Sequence, residues 1–312
     1  MVEELAAQLI QEAWSKEAQD LYFLPLGETY QVLLRVKDQR QDLASLSVDQ
    51  AQALIGHYKF KAGMNVGEKR RQQLGSCLYP LKEQTVSIRL STVGDYQGRE
   101  SLVIRLLHDS KRKLHFWFQA LDLLASQVTK RGLYLFAGPV GSGKTSLMHA
   151  LALEKAGNQQ ILSIEDPVEI REEAFLQLQV NPTIDLTYDQ LIKLSLRHRP
   201  DLMIIGEIRD KETARAALRA SLTGIRVFST IHARSIPGVI DRLQELGLTR
   251  EEISHSLAGV AYQRLIAGGG VIDFVQEGFE THQAESWNQQ MDLLVAQGHL
   301  SPEEGEGEKI KG

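Results

Sequence analysis

The stretch GPVGSGKT, residues 138–145, carries the most specific chemistry in the sequence. It fits the pattern G-x-x-x-x-G-K-[ST] in full, follows an apolar run and precedes a helical one, which is the setting a phosphate-binding loop needs. Glycines let successive backbone N–H groups curl around phosphate oxygens, and a helix N-terminus adds the positive end of its dipole. Lys144 is expected to reach the β- and γ-phosphates of a nucleotide, and Thr145 to offer its hydroxyl to Mg²⁺. The expected nucleotide-binding set is Gly138, Pro139, Val140, Gly141, Ser142, Gly143, Lys144, Thr145 and Ser146, with ATP and Mg²⁺ as the implied cofactors.

Two acidic sites follow. ILSIEDPVE puts Glu165, Asp166 and Glu169 at the end of an apolar run that Pro167 stops. LMIIG, residues 202–206, ends in Glu207. Ligands of open α/β sheets bind beyond the carboxyl ends of the strands, so both sites are expected to converge near the γ-phosphate. Glu207 is the candidate to orient or deprotonate an attacking water. Strands of this kind commonly end in an Asp that helps hold the metal, and Gly206 stands there instead. Asp201 lies at the wrong end. Metal support is therefore expected from Thr145 and from Glu165 or Asp166, directly or through the waters that Mg²⁺ keeps. The competing reading is that these acids only brace or cap their loops.

His232 follows another apolar run, where it could hydrogen-bond the γ-phosphate or simply pack. Arg89 and Arg105 fall in VSIRLS and LVIRLL, suited either to bidentate phosphate contact or to structural ion pairs. Arg209 carries the same ambiguity. KFKAGMNVGEKRR, residues 59–71, reads as a solvated basic face.

These residues need a scaffold. LYLFAG (133–138), QILSIE (160–165), LMIIG (202–206) and RVFSTI (226–231) read as strands, alternating with helical segments, which argues for a parallel sheet with crossover helices. Thr187 with Gln190 and Thr249 with Glu252 are capping-box patterns, the second opening a helix through TREEISHSLAGVAYQRLIA. Before this core, MVEELAAQLIQEAW and VDQAQALIGHYKFKAG have helical spacing, LYFLPL and YQVLLRVKD read as strands, and TVSIRLSTVGDYQGRESLVIRLL reads as a hairpin. The expected fold is an α/β core with a parallel sheet behind a smaller α+β domain. Its expected divisions are 1–108 for the α+β domain, 109–130 for a linker (HDSKRK, 108–113) and connecting helix, 131–300 for the core, and 301–312 for a disordered acidic tail.

The chain has 312 residues, 43% of them apolar and 24% charged. No apolar run approaches the roughly 18–20 residues of a membrane span, and the acidic start does not suit a signal peptide. One cysteine, Cys77, excludes an internal disulfide and a Cys-rich zinc site. The net charge of −5 is concentrated after residue 266, leaving a near-neutral body without the basic footprint of direct nucleic-acid binding.

Taken together, GPVGSGKT, ILSIEDPVEI, RPDLMIIGEIRDKETARAAL and LTGIRVFSTIHARS resemble, in this order, the motifs of the secretion ATPases of the type II secretion and type IV pilus class. QRL at 263–265 fits as well, and IRLSTVGDYQGRESLVIRLL is similar to the family's second N-terminal domain. The resemblance implies a RecA-like P-loop NTPase core. It implies that Gly206 is a family trait, that Glu207 is the catalytic glutamate, and that Glu165 and His232 belong to the Asp and His boxes. It implies that Arg89 and Arg105 reach the nucleotide when the domains close. It also implies a homo-hexamer on the cytoplasmic face of the membrane, driving a polytopic inner-membrane platform protein and, indirectly, pilin subunits. The long N-terminal extension and the tetracysteine zinc site of many members are missing, so zinc is not expected. The ending WNQQMDLLVAQGHLSPEE looks like the competence-pilus ATPases of Gram-positive bacteria, which serve DNA uptake in transformation. A retraction or secretion motor of the same family, a DNA-translocating ATPase and a non-hydrolysing nucleotide-gated scaffold are the alternatives.

Overall fold

The computed structural model describes residues 2–36, 39–82, 84–107, 114–181, 184 and 186–310. The chain divides into two compact units, Met1–Ser110 and Lys111–Gly312. The expected linker at 108–113 lies outside the described residues.

In the N-terminal unit, β1 (Asp20–Leu26), β2 (Thr29–Val36), β3 (Gln39–Ser47), β4 (Gln73–Pro80), β5 (Thr85–Gly94) and β6 (Glu100–Leu107) form an antiparallel sheet in the order β3-β2-β1-β6-β5-β4. Helices α1 (Val2–Ser15) and α2 (Val48–Lys61) share its core. Alternation along β5 sends Val86, Ile88, Leu90 and Thr92 into that core and puts Arg89 on the opposite face. The reading of 59–71 as a solvated basic face holds for the exposed Lys61, Lys69, Arg70 and Arg71, and Lys59 is its exception. It is fully buried, donates to the Glu68 carbonyl at 2.6 Å and is paired with Glu100 at 2.5 Å. Its place on the inner face of α2 outweighs its charge.

The C-terminal unit is built from α3 (Ala120–Gln127), β7 (Gly132–Ala137), α4 (Lys144–Glu154), β8 (Ile161–Glu165), β9 (Phe175–Gln179), α5 (Tyr188–Leu196), β10 (Leu202–Glu207), α6 (Lys211–Leu222), β11 (Arg226–Ile231), α7 (Ile236–Glu245), α8 (Arg250–Ser256), β12 (Leu257–Ile266), β13 (Gly269–Val275), α9 (Glu285–Ala296) and α10 (Pro302–Glu308). Its sheet runs β13-β12-β7-β11-β10-β8-β9, parallel except for β13. Apolar cores cover both faces, which is why the inner strands are largely apolar.

Three expectations are corrected. The helix opened by Thr249 stops at Ser256, and Leu257–Ile266 is a strand beside β7. Its apolar run is buried on both sides, so periodicity could not separate strand from helix. Ala267 and Gly268, both at positive φ, turn it into β13. The connecting helix is only Ala120–Gln127, because Phe116 bridges Gly270 and the Trp117 indole donates to the Ile266 carbonyl at 2.9 Å. Nor is the acidic end disordered: Pro302–Glu308 is helical, with Ser301 and Glu304 forming a capping box. The Trp287 indole donates to the Glu308 carbonyl at 2.9 Å, and the fully buried Trp287 ring anchors the segment.

Candidate active site

The phosphate loop leaves β7, all six residues of which are buried. Gly138 has φ 147°, and a Cβ there would collide with the carbonyl oxygen of Gln263. Gly143 has φ 86°, and a Cβ on it would stand 3.0 Å from Gln263 Nε2. Gln263, one residue past the β12 register partner of Ala137, is therefore the floor of the loop. Only its place in a QRL triplet marked it in the sequence. The first turn of α4 has no side-chain cap, so its N–H groups face outward for an anion. Ser142 Oγ and Gln263 Oε1 are buried beside the loop without a hydrogen-bond partner among the described residues. Lys144 Nζ donates to the carbonyls of Gly138 (3.0 Å) and Pro139 (2.8 Å). Burial lowers the Lys144 pKa, while Glu207 and Glu169 pull it back up. This cradle, with the Thr145 hydroxyl and nearby carboxylates as hard oxygen donors, fits a nucleotide with Mg²⁺.

The neighbouring strands β7, β11, β10 and β8 are parallel and in aligned register, so they release Lys144, His232, Glu207 and Glu165 at one edge. The Glu207 carboxylate is held from two sides. His232 Nε2 lies 3.0 Å from Oε1, and Arg209 Nε donates to Oε2 at 2.7 Å. That bond raises the Arg209 pKa. Gly206 sits where β10 bulges against β11, its carbonyl accepting from Thr230 Oγ1 at 2.7 Å. A Cβ on Gly206 would lie 3.4 Å from the Cα of Glu165, so glycine lets the two acidic motifs run close together.

Those motifs expose different groups. Glu165 turns inward, 3% exposed, with Oε1 accepting from Ser163 Oγ (2.7 Å) and Gln177 Nε2 (3.1 Å). Burial raises its pKa against those two hydrogen bonds. Asp166, after which a cis peptide leads to Pro167, is exposed, and so is Glu169. The structure thus brings Glu207, His232 and Lys144 to one edge, and Asp166 rather than Glu165 to its surface.

Sequence reasoning missed His149, one turn beyond Thr145 on α4. Its Nε2 is 3.8 Å from Glu165 Oε2, and its ring packs on Phe175. Burial pushes its pKa down to about 4, against the pull of Glu172 and Glu169. The i, i+4 spacing from the motif threonine was its one signal. In the N-terminal unit, Arg89 and Arg105 are direct register partners on β5 and β6, and Arg105 Nε donates to Asp20 Oδ1 at 2.8 Å.

A phosphate loop between a buried strand and a helix, with a held glutamate two strands away on the same edge, defines a P-loop nucleotide-binding core. The chain belongs to the family described as type II/IV secretion system protein, which it matches over residues 1–290. It is 58% identical over 310 residues to competence protein ComGA of Streptococcus pneumoniae (strain ATCC BAA-255 / R6), covering 99% of each chain. It is 38% identical to competence protein ComGA of Bacillus subtilis (strain 168), over 85% of this chain and 76% of that one. It is 33% identical to the type II secretion system ATPase E of Vibrio cholerae, over 83% of this chain and 52% of that one. In fold it is similar to the pilus retraction motor PilT solved with bound ADP (TM-score 0.76, 22% identity, 98% of this chain and 97% of that one). The Legionella pneumophila ATPase DotB shares the fold as well (TM-score 0.69, 18% identity, 95% and 88%). No helix among the described residues is long and apolar enough to cross a membrane.

Proposed function

We propose that this secretion ATPase hydrolyses ATP to assemble a competence pilus, the fibre that serves DNA uptake in transformation. The observation that carries the reading is the Glu207 carboxylate, held between His232 and Arg209 at the sheet edge that also holds Lys144. Full-length similarity to competence protein ComGA supports the competence role.

The chain's own residues divide the work. The loop N–H groups and Lys144 bind the phosphates and stabilise charge on the transferring group. Mg²⁺, when bound, supplies further positive charge there. Thr145 and Asp166 would hold it, with Glu165 fixing the Asp166 loop from inside. Glu207 orients and accepts a proton from water, His232 reads the γ-phosphate and keeps Glu207 aimed, and Arg209 holds its other oxygen. Arg89 and Arg105 offer guanidinium charge to the phosphates, a role supported by their chemistry and by the family resemblance. The working form is a homo-hexamer on the cytoplasmic face of the membrane, acting on a polytopic platform protein and only indirectly on pilins, with no direct contact to nucleic acid.

Lys144→Ala tests this. Purified variant is expected to fold and release no phosphate, and cells carrying it alone to lack pili and transformants. Sustained turnover would overturn the catalytic reading, and overlong pili would turn the assembly reading into retraction.

A further inference from the structure

Thr145 and His149 stand four residues apart on α4, so they lie on one face of the helix. Glu165 closes β8, and Asp166 follows it. The two elements thus supply two pairs of groups. The outer pair is Thr145, partly exposed, and Asp166, exposed. The inner pair is His149 and Glu165, both buried, at 2% and 3% exposure. This inner pair is unfinished. His149 Nε2 stands 3.8 Å from Glu165 Oε2. Neither ring nitrogen has a hydrogen-bond partner among the described residues. Glu165 Oε1 accepts from Ser163 and Gln177, whereas Oε2 has a long contact of 3.5 Å with the Glu169 N–H. A buried ring nitrogen without a partner is costly, and closing the gap by about 1 Å would give it one.

The His149 ring packs on Phe175 of β9, with centroids 5.5 Å apart, a contact that any flat apolar ring would make. Its nitrogens face the one acidic side chain that adjoins Asp166. We infer that His149 is a positioning residue for the metal side of the site: in the nucleotide-loaded form its Nε2–H donates to Glu165 Oε2 and so fixes Asp166 relative to Thr145. An imidazole in either charge state can present an N–H at Nε2. A cation shared by Thr145 and Asp166 draws α4 toward the end of β8, and the gap beneath them closes in the same movement. Each pair then steadies the other. Binding of the phosphates by the loop N–H groups and Lys144 does not need the inner bond; placement of Mg²⁺ does.

This inference rests on Thr145 and Asp166 as the groups that hold Mg²⁺, so Asp166→Asn is measured in parallel. ADP binding to the purified full chain is titrated with and without Mg²⁺, and the Mg²⁺ concentration at half-maximal ATP turnover is measured beside it. His149→Phe keeps a ring against Phe175 and removes both nitrogens. It is expected to bind ADP without Mg²⁺ as the parent does, which also shows that it folds. It is expected to need about tenfold more Mg²⁺ in both assays, the usual scale for a group that orients a metal ligand. His149→Gln, whose amide can donate from nearly the same place, is expected to recover most of that loss. His149→Leu serves as the comparison where the larger Phe ring does not fit. A parent-like Mg²⁺ requirement in His149→Phe beside a raised one in Asp166→Asn overturns the inference alone. So does an equal loss in His149→Gln, or weakened ADP binding without Mg²⁺, either of which makes His149 a packing residue. A parent-like requirement in Asp166→Asn removes the reading of Mg²⁺ on which the inference stands.

Discussion

His232 Nε2 lies 3.0 Å from Glu207 Oε1, joining the residue just past β11 to the last residue of β10. With Arg209 on the other oxygen, the carboxylate has a defined orientation before any nucleotide arrives. Preorganisation of this kind is what a water-activating base requires.

His232→Ala is therefore expected to leave ADP affinity intact and to lower kcat by about tenfold or more, the scale of a hydrogen bond to a charged group. Steady-state phosphate release with a parallel binding titration separates the two. A rise in KM at constant kcat would assign His232 to ground-state binding alone.

His149 predicts a pH dependence of stability. Its folded pKa of about 4 lies below the ordinary value of 6.5, so the unfolded chain binds the extra proton first. Its share of stability is complete above pH 6.5, falls as pH drops toward 4, and amounts to about 3 kcal/mol over that window. Denaturant unfolding of the parent and of His149→Phe across that range checks this: the parent should lose stability relative to the variant.

How far the site was legible differs residue by residue. GPVGSGKT was legible because chemistry fixes its spacing, and Glu207 and His232 because each stands at the end of a largely apolar strand. Gln263 and His149 were hidden because what they do depends on which elements touch. Gln263 matters through its carbonyl against Gly138, and no sequence pattern marks a carbonyl. Glu165 read as a ligand because strand-end acids usually face solvent, yet Ser163 and Gln177 hold it inside. At the acidic end, composition outvoted a visible signal: Ser301, Pro302 and Glu304 spell a helix start.

The end of the chain gives a further expectation. Removing residues 301–312 uncovers the Trp287 ring and breaks its bond to the Glu308 carbonyl. Thermal or denaturant unfolding should show a loss of about 2 kcal/mol or more, from the apolar area newly exposed and the lost hydrogen bond. Unchanged stability would mean that the helix does not hold the core.

The central claim is that Glu207 activates water for a nucleotide bound on the Lys144 loop. The most direct measurement is phosphate release by Glu207→Gln, with binding of labelled ATP followed in the same preparation. The account predicts ATP binding close to that of the parent and turnover lowered by about a hundredfold or more. Parent-like turnover with intact binding would contradict it.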